Sequence, residues 1–361
     1  MNSVCKWGGS SISSGTRALR VANFIKQNNI PIVVLSAPGK STPLEDKITD
    51  LLIKITTNIQ DIDIYLKQIN DRYTDIIKTL NINFDIVAEI NKIKNKYLQS
   101  KDNSYLISRG EYLMAKIFAK HLNYKFIDSK DIIKFDKNGK LLESTYNLIK
   151  NAISKYKQVV IPGFYGSHKN NIKIFSRGGS DITGAIVARA LNKNYFNFTD
   201  IDGVYNKYPL TDTAKKLKSL SYEDMKFLGL FGFSVLHHKC CDILKDTNLK
   251  VFIKSSFEPQ KRPTTIKPYA PSIFASSEKE FNLTQSKDDI YDWFLERKIF
   301  VFFKYQYLDN YFYLIDTKSL TPTKTNTFKV FVKAIISNKF IDSALLVEPN
   351  HYLKIKKVAT L

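Results

Sequence analysis

Three short turns hold the residues of this sequence that could do chemistry. The first, Lys6-Trp7-Gly8-Gly9-Ser10-Ser11, directly follows a strand-like run over residues 3–7. Paired glycines let a backbone approach a phosphate closely and aim its N–H groups at the oxygens. Lys6 adds a point charge, and a helix expected over 15–27 adds its positive N-terminus. A tight turn with a solvated lysine is the equal alternative. The second turn, Arg177-Gly178-Gly179-Ser180-Asp181, joins an expected strand over 172–175 to an expected helix over 181–191. A guanidinium there can grip a carboxylate through two parallel hydrogen bonds. An Arg177–Asp181 ion pair that only braces the turn is the competing reading. The third, Thr199-Asp200-Ile201-Asp202-Gly203-Val204-Tyr205, follows an expected strand over 194–198. Polar residues just past a buried strand belong to the ligand edge of an α/β sheet. An Asp-Gly turn with side-chain-to-backbone bonds is the bland alternative.

The elements that must position these turns alternate in type. Pro31-Ile32-Val33-Val34-Leu35 is a near-continuous apolar run, the mark of a parallel strand covered on both faces. Residues 15–27 carry helical spacing at Ala18, Val21, Ala22 and Ile25. Residues 44–123 read as mostly helical, with breaks near Asn58, Asn81 and Lys101. Strands are expected over 125–128, 158–161 and 249–253, and a hairpin turn at Asn170-Asn171. Ser221 with Asp224 three residues on resembles a capping box. Such alternation argues for a doubly wound α/β sheet, in which two glycine-rich turns face the same edge.

At this point a resemblance becomes specific. The opening Lys6-Trp7-Gly8-Gly9-Ser10-Ser11 is similar to the K-F-G-G-T-S of aspartate kinases, members of the amino-acid-kinase fold. Ile161-Pro162-Gly163-Phe164-Tyr165-Gly166 resembles their V-P-G-F-x-G. Ser176-Arg177-Gly178-Gly179-Ser180-Asp181 resembles G-R-G-G-S-D, and Thr199 to Tyr205 resembles T-D-V-D-G-V-Y. Ser108-Arg109-Gly110-Glu111 corresponds to S-x-G-E, and Phe231-Gly232-Phe233-Ser234-Val235-Leu236-His237 to F-G-A-K-V-L-H. Six motifs stand in family order.

The resemblance implies an ATP-dependent phosphotransferase acting on the β-carboxylate of L-aspartate, with Mg2+ on the nucleotide and 4-phospho-L-aspartate as product. Lys6 and Asp181 would be catalytic. Ser36, Thr49, Glu111 and Arg177 would bind aspartate, Glu111 its ammonium and Arg177 its α-carboxylate. Lys6, Gly8, Gly9, Ser10, Gly178, Gly179, Ser180, Thr199, Asp200, Tyr205 and Lys207 would line ATP. The chain departs from the family in carrying Ser234 for a lysine, His238 for a proline, and Asn206-Lys207-Tyr208-Pro209-Leu210 for x-x-D-P-R. A non-catalytic or altered-specificity relative that binds a ligand or partner is the alternative reading.

Composition bounds these readings. An apolar fraction of 43% with 25% charged residues is ordinary for a soluble globular chain. No run approaches the ~18 apolar residues of a membrane helix. The N-terminus reads as having no leader, and a cytoplasmic location is expected. Three cysteines, two adjacent, form neither a disulfide framework nor a metal spacing, so no protein-held metal is expected. The formal charge of +21 rests almost wholly on lysine, with only eight arginines, scattered among Asn and Ile. That pattern reads as compositional drift, and no nucleic-acid module accompanies it.

The expected organisation is an α/β catalytic domain over 1–258, mainly a parallel sheet with helices on both faces. A Pro-rich linker follows over 259–271, then a small α+β domain over 272–361. Aspartate kinases usually carry two regulatory ACT domains, each βαββαβ. One such unit needs roughly 70 residues, so the 94 from Pro268 onward hold one but not two. A helix is expected over 288–297, with strands over 299–307, 310–316, 328–337 and 344–348. Aromatic strands of this kind also offer pairing edges, which makes a homodimer plausible.

Overall fold

The computed structural model describes residues 2–175, 178–208, 212–230, 233, 235–270, 274–286, 301–307, 310–316, 326–337, 340–347 and 352–355. It divides into two compact units, Met1–Gly203 with Val235–Ala270, and Val204–Ser234 with Pro271–Leu361.

The first unit runs β1 (Val4–Trp7), α1 (Gly15–Gln27), β2 (Ile32–Leu35), α2 (Ile48–Thr57), α3 (Ile62–Thr79), α4 (Ile86–Ser100), α5 (Asn103–Ile107), α6 (Arg109–Leu122) and β3 (Lys125–Phe126). It continues through α7 (Ser129–Ile132), α8 (Ser144–Ile153), β4 (Val159–Pro162), the hairpin β5 (Tyr165–His168) and β6 (Asn171–Ile174), α9 (Gly179–Leu191) and β7 (Tyr195–Thr199). After the second unit's β8 (Lys207–Tyr208), β9 (Ser219–Ser221) and α10 (Tyr222–Leu230), it resumes with α11 (His238–Leu244), β10 (Val251–Ser255) and β11 (Thr264–Lys267).

Its sheet has the order β3-β4-β2-β1-β7-β10-β11. The first six strands are mutually parallel, and only β11 runs antiparallel, with Val251 opposite Ile266. Every residue of β1, β2 and β4 is buried, as the apolar runs of β2 and β4 require, and Lys6 of β1 is buried with them. Trp7 stacks on Phe198 at 4.7 Å and Phe24 of α1 meets the same ring edge-on, locking a helix onto the centre of the sheet.

Most elements sit where their sequence signals put them. The helical breaks fall at Asn58, at Asn81 (φ 50°) and at Lys101 (φ 53°). Three expectations shift. Strand β3 is two residues long. The hairpin turn is Lys169-Asn170, with Lys169 at φ 52° and Asn171 already in β6. Within the stretch expected as a linker, Thr264–Lys267 is a strand. Pro263 and Pro268 flank it without entering it, so no ladder N–H is missing.

In the second unit the capping box is reciprocal: the Asp224 N–H donates to Ser221 Oγ at 3.0 Å and the Ser221 N–H to Asp224 Oδ2 at 3.3 Å. The tail forms β12 (Phe274–Ser286), β13 (Val301–Tyr307), β14 (Asn310–Asp316), β15 (Asn326–Ser337), β16 (Phe340–Val347) and β17 (Tyr352–Ile355). Their order is β13-β14-β12-β15-β16-β17, antiparallel throughout, and β8 pairs with β12 in parallel. The sequence signals missed β12. The helix expected over 288–297 lies outside the described residues.

Candidate active site

Because six strands are parallel, their carboxyl ends open on one edge; the turns after β1 and β7 leave from it, and the turn between β6 of the hairpin and α9 is brought to it by the Lys6–Asp181 contact. The chain builds leftward from β1 through β2 and rightward only later through β7, so β1/β7 is the point where strand order reverses. Ligands of open α/β sheets bind at such a point. Backbone bonds knit the edge together: Gly8 N–H to Phe198 O (3.0 Å), Ser36 N–H to Trp7 O (3.2 Å), Gly163 N–H to Leu35 O (2.8 Å) and Ser256 N–H to Thr199 O (2.8 Å).

Lys6 is the one charged residue of β1 and is only 6% exposed. Its Nζ lies 2.6 Å from Asp181 Oδ1 and donates to Asn197 Oδ1 at 3.2 Å. Asp181 sits in the first turn of α9, and its Oδ2 accepts the His237 N–H at 3.3 Å. The ammonium and the carboxylate therefore leave water with partners already in place, which a buried ion pair requires. Burial, then the neighbouring His238, pushes the His237 imidazole down to about 4, so it adds no cation there at neutral pH.

Two glycine contacts shape the phosphate side. Gly39 donates its N–H to Gly9 O at 2.9 Å, and a Cβ on Gly9 would stand 2.6 Å from Ala37 O. Gly178 has φ +76°, and a Cβ there would meet the His237 ring at 2.6 Å. Only glycine suits that turn. Ser10 lies in the 3-10 turn Gly9–Ile12, and Ser180 is buried at the start of α9.

Glu111 stands in the first turn of α6 and is 4% exposed. Its Oε2 has no hydrogen-bond partner among the described residues. Burial pushes its carboxyl up to about 8, against backbone hydrogen bonds from Ala37 and Glu111 itself and the field of Arg109. Arg109 is itself buried among the rings of Tyr105, Tyr112 and Tyr165. Ser36 and Ala37 open the loop that leaves β2. Thr49 is the second residue of α2, whose Ile48 N–H donates back to Pro38 O at 3.2 Å.

The first unit thus gathers Lys6, Gly8, Gly9, Ser10, Ser36, Gly178, Gly179, Ser180, Asp181, Thr199 and Asp200 at the sheet edge, with Thr49 and Glu111 on the helices next to it. Thr199 Oγ1 donates to Asp200 Oδ1 at 3.0 Å. Tyr205 and Lys207 belong to the second unit, where Tyr205 bridges to Lys216 and Lys207 Nζ donates to Thr213 Oγ1. Arg177 and Ser234 lie outside the described residues. Sequence reasoning missed Asn197. Its signal was a lone amide inside the apolar run Tyr195-Phe196-Asn197-Phe198, and the β1/β7 register sets it opposite Lys6.

Among the described residues no helix is long and apolar enough to cross a membrane. None of them form a group of three or more His, Cys, Asp or Glu side chains that could hold a metal ion.

Comparison with known proteins agrees with this geometry. The chain is 30% identical to Aspartokinase 3 of Bacillus subtilis over 291 residues, covering 73% of this chain and 63% of that one. It is 28% identical to the chloroplastic Aspartokinase 1 of Arabidopsis thaliana over 296 residues, or 73% of this chain and 51% of that one. It therefore spans less than two thirds of the length of either relative. The crystal structure of Clostridium acetobutylicum aspartate kinase superposes with a TM-score of 0.77 at 29% identity, over 93% of this chain and 86% of that one. E. coli aspartokinase III, solved with aspartate and ADP, shares the fold with a TM-score of 0.80 at 19% identity, over 94% and 88% of the two chains. The model of the amino acid kinase family matches residues 1–255, and the chain belongs to that family.

Proposed function

We propose that this protein transfers the γ-phosphoryl group of ATP to the β-carboxylate of L-aspartate, giving 4-phospho-L-aspartate. The observation that carries the reading is the buried Lys6–Asp181 pair, fixed by Asn197 where two glycine turns meet at the reversal of strand order. The Bacillus, Arabidopsis and Clostridium relatives are named for this activity.

In that reaction the protein needs no base. The β-carboxylate of aspartate, with a reference pKa near ~3.9, is already a nucleophile at neutral pH. Attack at phosphorus forms a carboxylate O–P bond as the bond to the β-phosphate oxygen breaks and ADP departs with that electron pair. Lys6 meets the charge that builds on the transferring oxygens, and Asp181 aims Lys6. The N–H groups of the Gly8-Gly9 and Gly178-Gly179 turns, with Ser10 and Ser180, cradle phosphates. Glu111 takes the α-ammonium and Arg177 the α-carboxylate, so the distal carboxylate alone points at ATP. Thr199 and Asp200 would lie along the nucleotide, a role the family motif extends to Tyr205 and Lys207.

Mg2+ suits this donor set as a nucleotide-borne ion, since it keeps waters and phosphate oxygens and needs only one or two carboxylates. Asp181 and Asp200 are the carboxylates that the sheet edge offers, and the ion would neutralise phosphate charge there.

The tail fits an ACT-like unit. In a βαββαβ fold each crossover pair is split by a strand of the other. The order β13-β14-β12-β15 has that form, with β14 between β12 and β13 and β12 between β14 and β15. A homodimer paired through this sheet, a cytoplasmic location and a role in lysine and threonine biosynthesis complete the proposal, with nucleic acid as no partner.

The deciding assay traps acyl phosphate with hydroxylamine in the presence of Mg-ATP and a panel of acidic amino acids. Hydroxamate from aspartate, and about 10²-fold less from glutamate, is expected, since one methylene misplaces the nucleophile by about 1 Å. No hydroxamate from any of them would favour a non-catalytic relative.

A further inference from the structure

Helix α3 contributes no residue to the site, yet it touches three separate segments of it. Arg72 Nη1 donates to Gly39 O at 2.8 Å, and Arg72 Nη2 lies 2.8 Å from Glu45 Oε2. That carboxylate also accepts the Ser41 N–H at 3.0 Å and the Ser41 hydroxyl. The loop between β2 and α2 is thereby fastened at Gly39, Ser41 and Glu45. The same loop begins with Ser36 and rests its Gly39 on Gly9. One residue on, buried Tyr73 donates its hydroxyl to Gly110 O at 2.6 Å, beside Glu111. Two residues further, Asp75 Oδ2 accepts the Gly15 N–H at 2.7 Å, at the start of the helix that follows the glycine turn. Arg72, Asp75 and Thr79 lie on one stripe at i, i+3 and i+7, and Tyr73 lies on the adjoining buried stripe. A Cβ on Gly15 would stand 2.1 Å from Thr79 Oγ1, so α1 begins hard against this stripe.

We propose that α3 is the positioning frame of the site: Tyr73 sets the amino-acid side, Asp75 the nucleotide side, and Arg72 the loop shared by both. None of the three touches a reacting atom. Each fixes a backbone group that leads to a site residue: Gly110 directly before Glu111, Gly15 five residues after Ser10 at the start of α1, and Gly39 against Gly9. A backbone carbonyl or N–H held by a side chain from a rigid helix costs the segment its freedom in advance, which is what precise substrate placement needs.

This inference rests on the kinase reading, and its test separates the two. Tyr73→Phe removes one oxygen. It is expected to raise KM for aspartate about tenfold, with KM for ATP within about twofold. Asp75→Ala is expected to do the reverse. Arg72→Ala is expected to raise both, and Arg72→Lys to restore little, because an ammonium cannot span the Gly39 carbonyl and the Glu45 carboxylate as a guanidinium does. A helix that only stabilises the fold would lower the active fraction and leave both KM values alone, and that result would overturn the proposal. Hydrogen exchange supplies a readout free of activity. In Arg72→Ala, amides of residues 39–45 should exchange at least about tenfold faster while those of α9 stay unchanged. Unchanged exchange at 39–45 would also defeat the frame. A wild-type protein that forms no acyl phosphate would refute the kinase reading alone, and the exchange comparison would still judge α3.

Discussion

Lys6 on β1 and Glu111 at the start of α6 are both buried ionisable groups, and the fold treats them in opposite ways. Lys6 has Asp181 at 2.6 Å and Asn197 at 3.2 Å, and Asp181 in turn holds the His237 N–H. Glu111 is as deeply buried but keeps one oxygen with no partner among the described residues. Native structures leave few buried polar atoms unpaired, and each exception asks for a reason. In the proposed reaction Lys6 must be aimed before the transition state forms, and its contacts to Asp181 and Asn197 are already made in the folded chain. On the amino-acid side, that unpaired oxygen is the proposed acceptor for the α-ammonium of the ligand. The two halves therefore differ in what mutation should do to stability as well as to activity.

The largest effect should come from breaking the paired half. Lys6→Ala is expected to lower kcat by about 10³-fold or more, the scale of losing a preorganised electrostatic contact to the transition state. It also strands Asp181, and orphaning one member of a buried pair costs about 3–5 kcal/mol. Thermal unfolding should therefore shift down in the same variant, and a near-normal kcat would remove Lys6 from catalysis. Glu111→Gln should behave differently. KM for aspartate is expected to rise about 10²-fold with kcat changed less, because a charge-assisted bond to the ammonium is lost. Its stability should not fall at alkaline pH. With the folded-state pKa raised from the ordinary 4.5 to about 8, the wild-type carboxyl contributes fully below pH 4.5 and loses that contribution as pH rises through 8. The amide never ionises, so at pH 8.5 Glu111→Gln should melt no lower than wild type. A lower melting temperature there would mean that Glu111 has a structural partner and that the comparison is false.

Much of this arrangement was legible in the sequence because it rests on local signals. Apolar runs such as Ile32–Leu35 announce parallel strands, and once the strands are parallel their turns must share an edge. Lys6, Glu111 and Asp181 were singled out by motif; Lys6 lies on a parallel strand, whereas Asp181 follows the β5-β6 hairpin and Glu111 begins a helix that follows α5. Asn197 was not found, because its role depends on which residue faces Lys6 across β1 and β7, and register is a property of two distant segments. The same holds for Arg72, Tyr73 and Asp75. They sit on a helix whose period was plain, but the backbone atoms they hold lie 33, 37 and 60 residues away. Thr264–Lys267 was hidden by the prolines on both sides of it, which act as breakers in a window but leave four residues free to pair. β12 was missed because its core, Ser276-Ser277-Glu278-Lys279-Glu280, carries no apolar alternation, although it pairs in register with β15.

The finest test of the comparison is pH, because only one of the two halves should respond near neutrality. A carboxylic acid can accept a hydrogen bond but cannot balance an ammonium, so aspartate binding needs Glu111 ionised. With its carboxyl pushed up to about 8 by burial, only about one-tenth of the unliganded sites carry the charge at pH 7. Apparent affinity scales with that fraction. The Kd for aspartate should therefore fall about tenfold per pH unit from pH 6 towards 8, then flatten above it. The Kd for Mg-ADP should lack this Glu111-dependent slope and change identically in wild type and Glu111→Gln, since the groups proposed to face it, Lys6 and Asp181, do not depend on Glu111. Titration calorimetry of each ligand at half-unit steps would read both curves. In buffers of different ionisation enthalpy, aspartate binding at pH 7 should also release close to one proton, while ADP binding releases none through Glu111. Glu111→Gln should abolish the aspartate slope while keeping its weak, pH-independent binding. A flat aspartate curve in the wild type, or a slope that survives in Glu111→Gln, would show that the unpartnered oxygen is not where the ammonium docks.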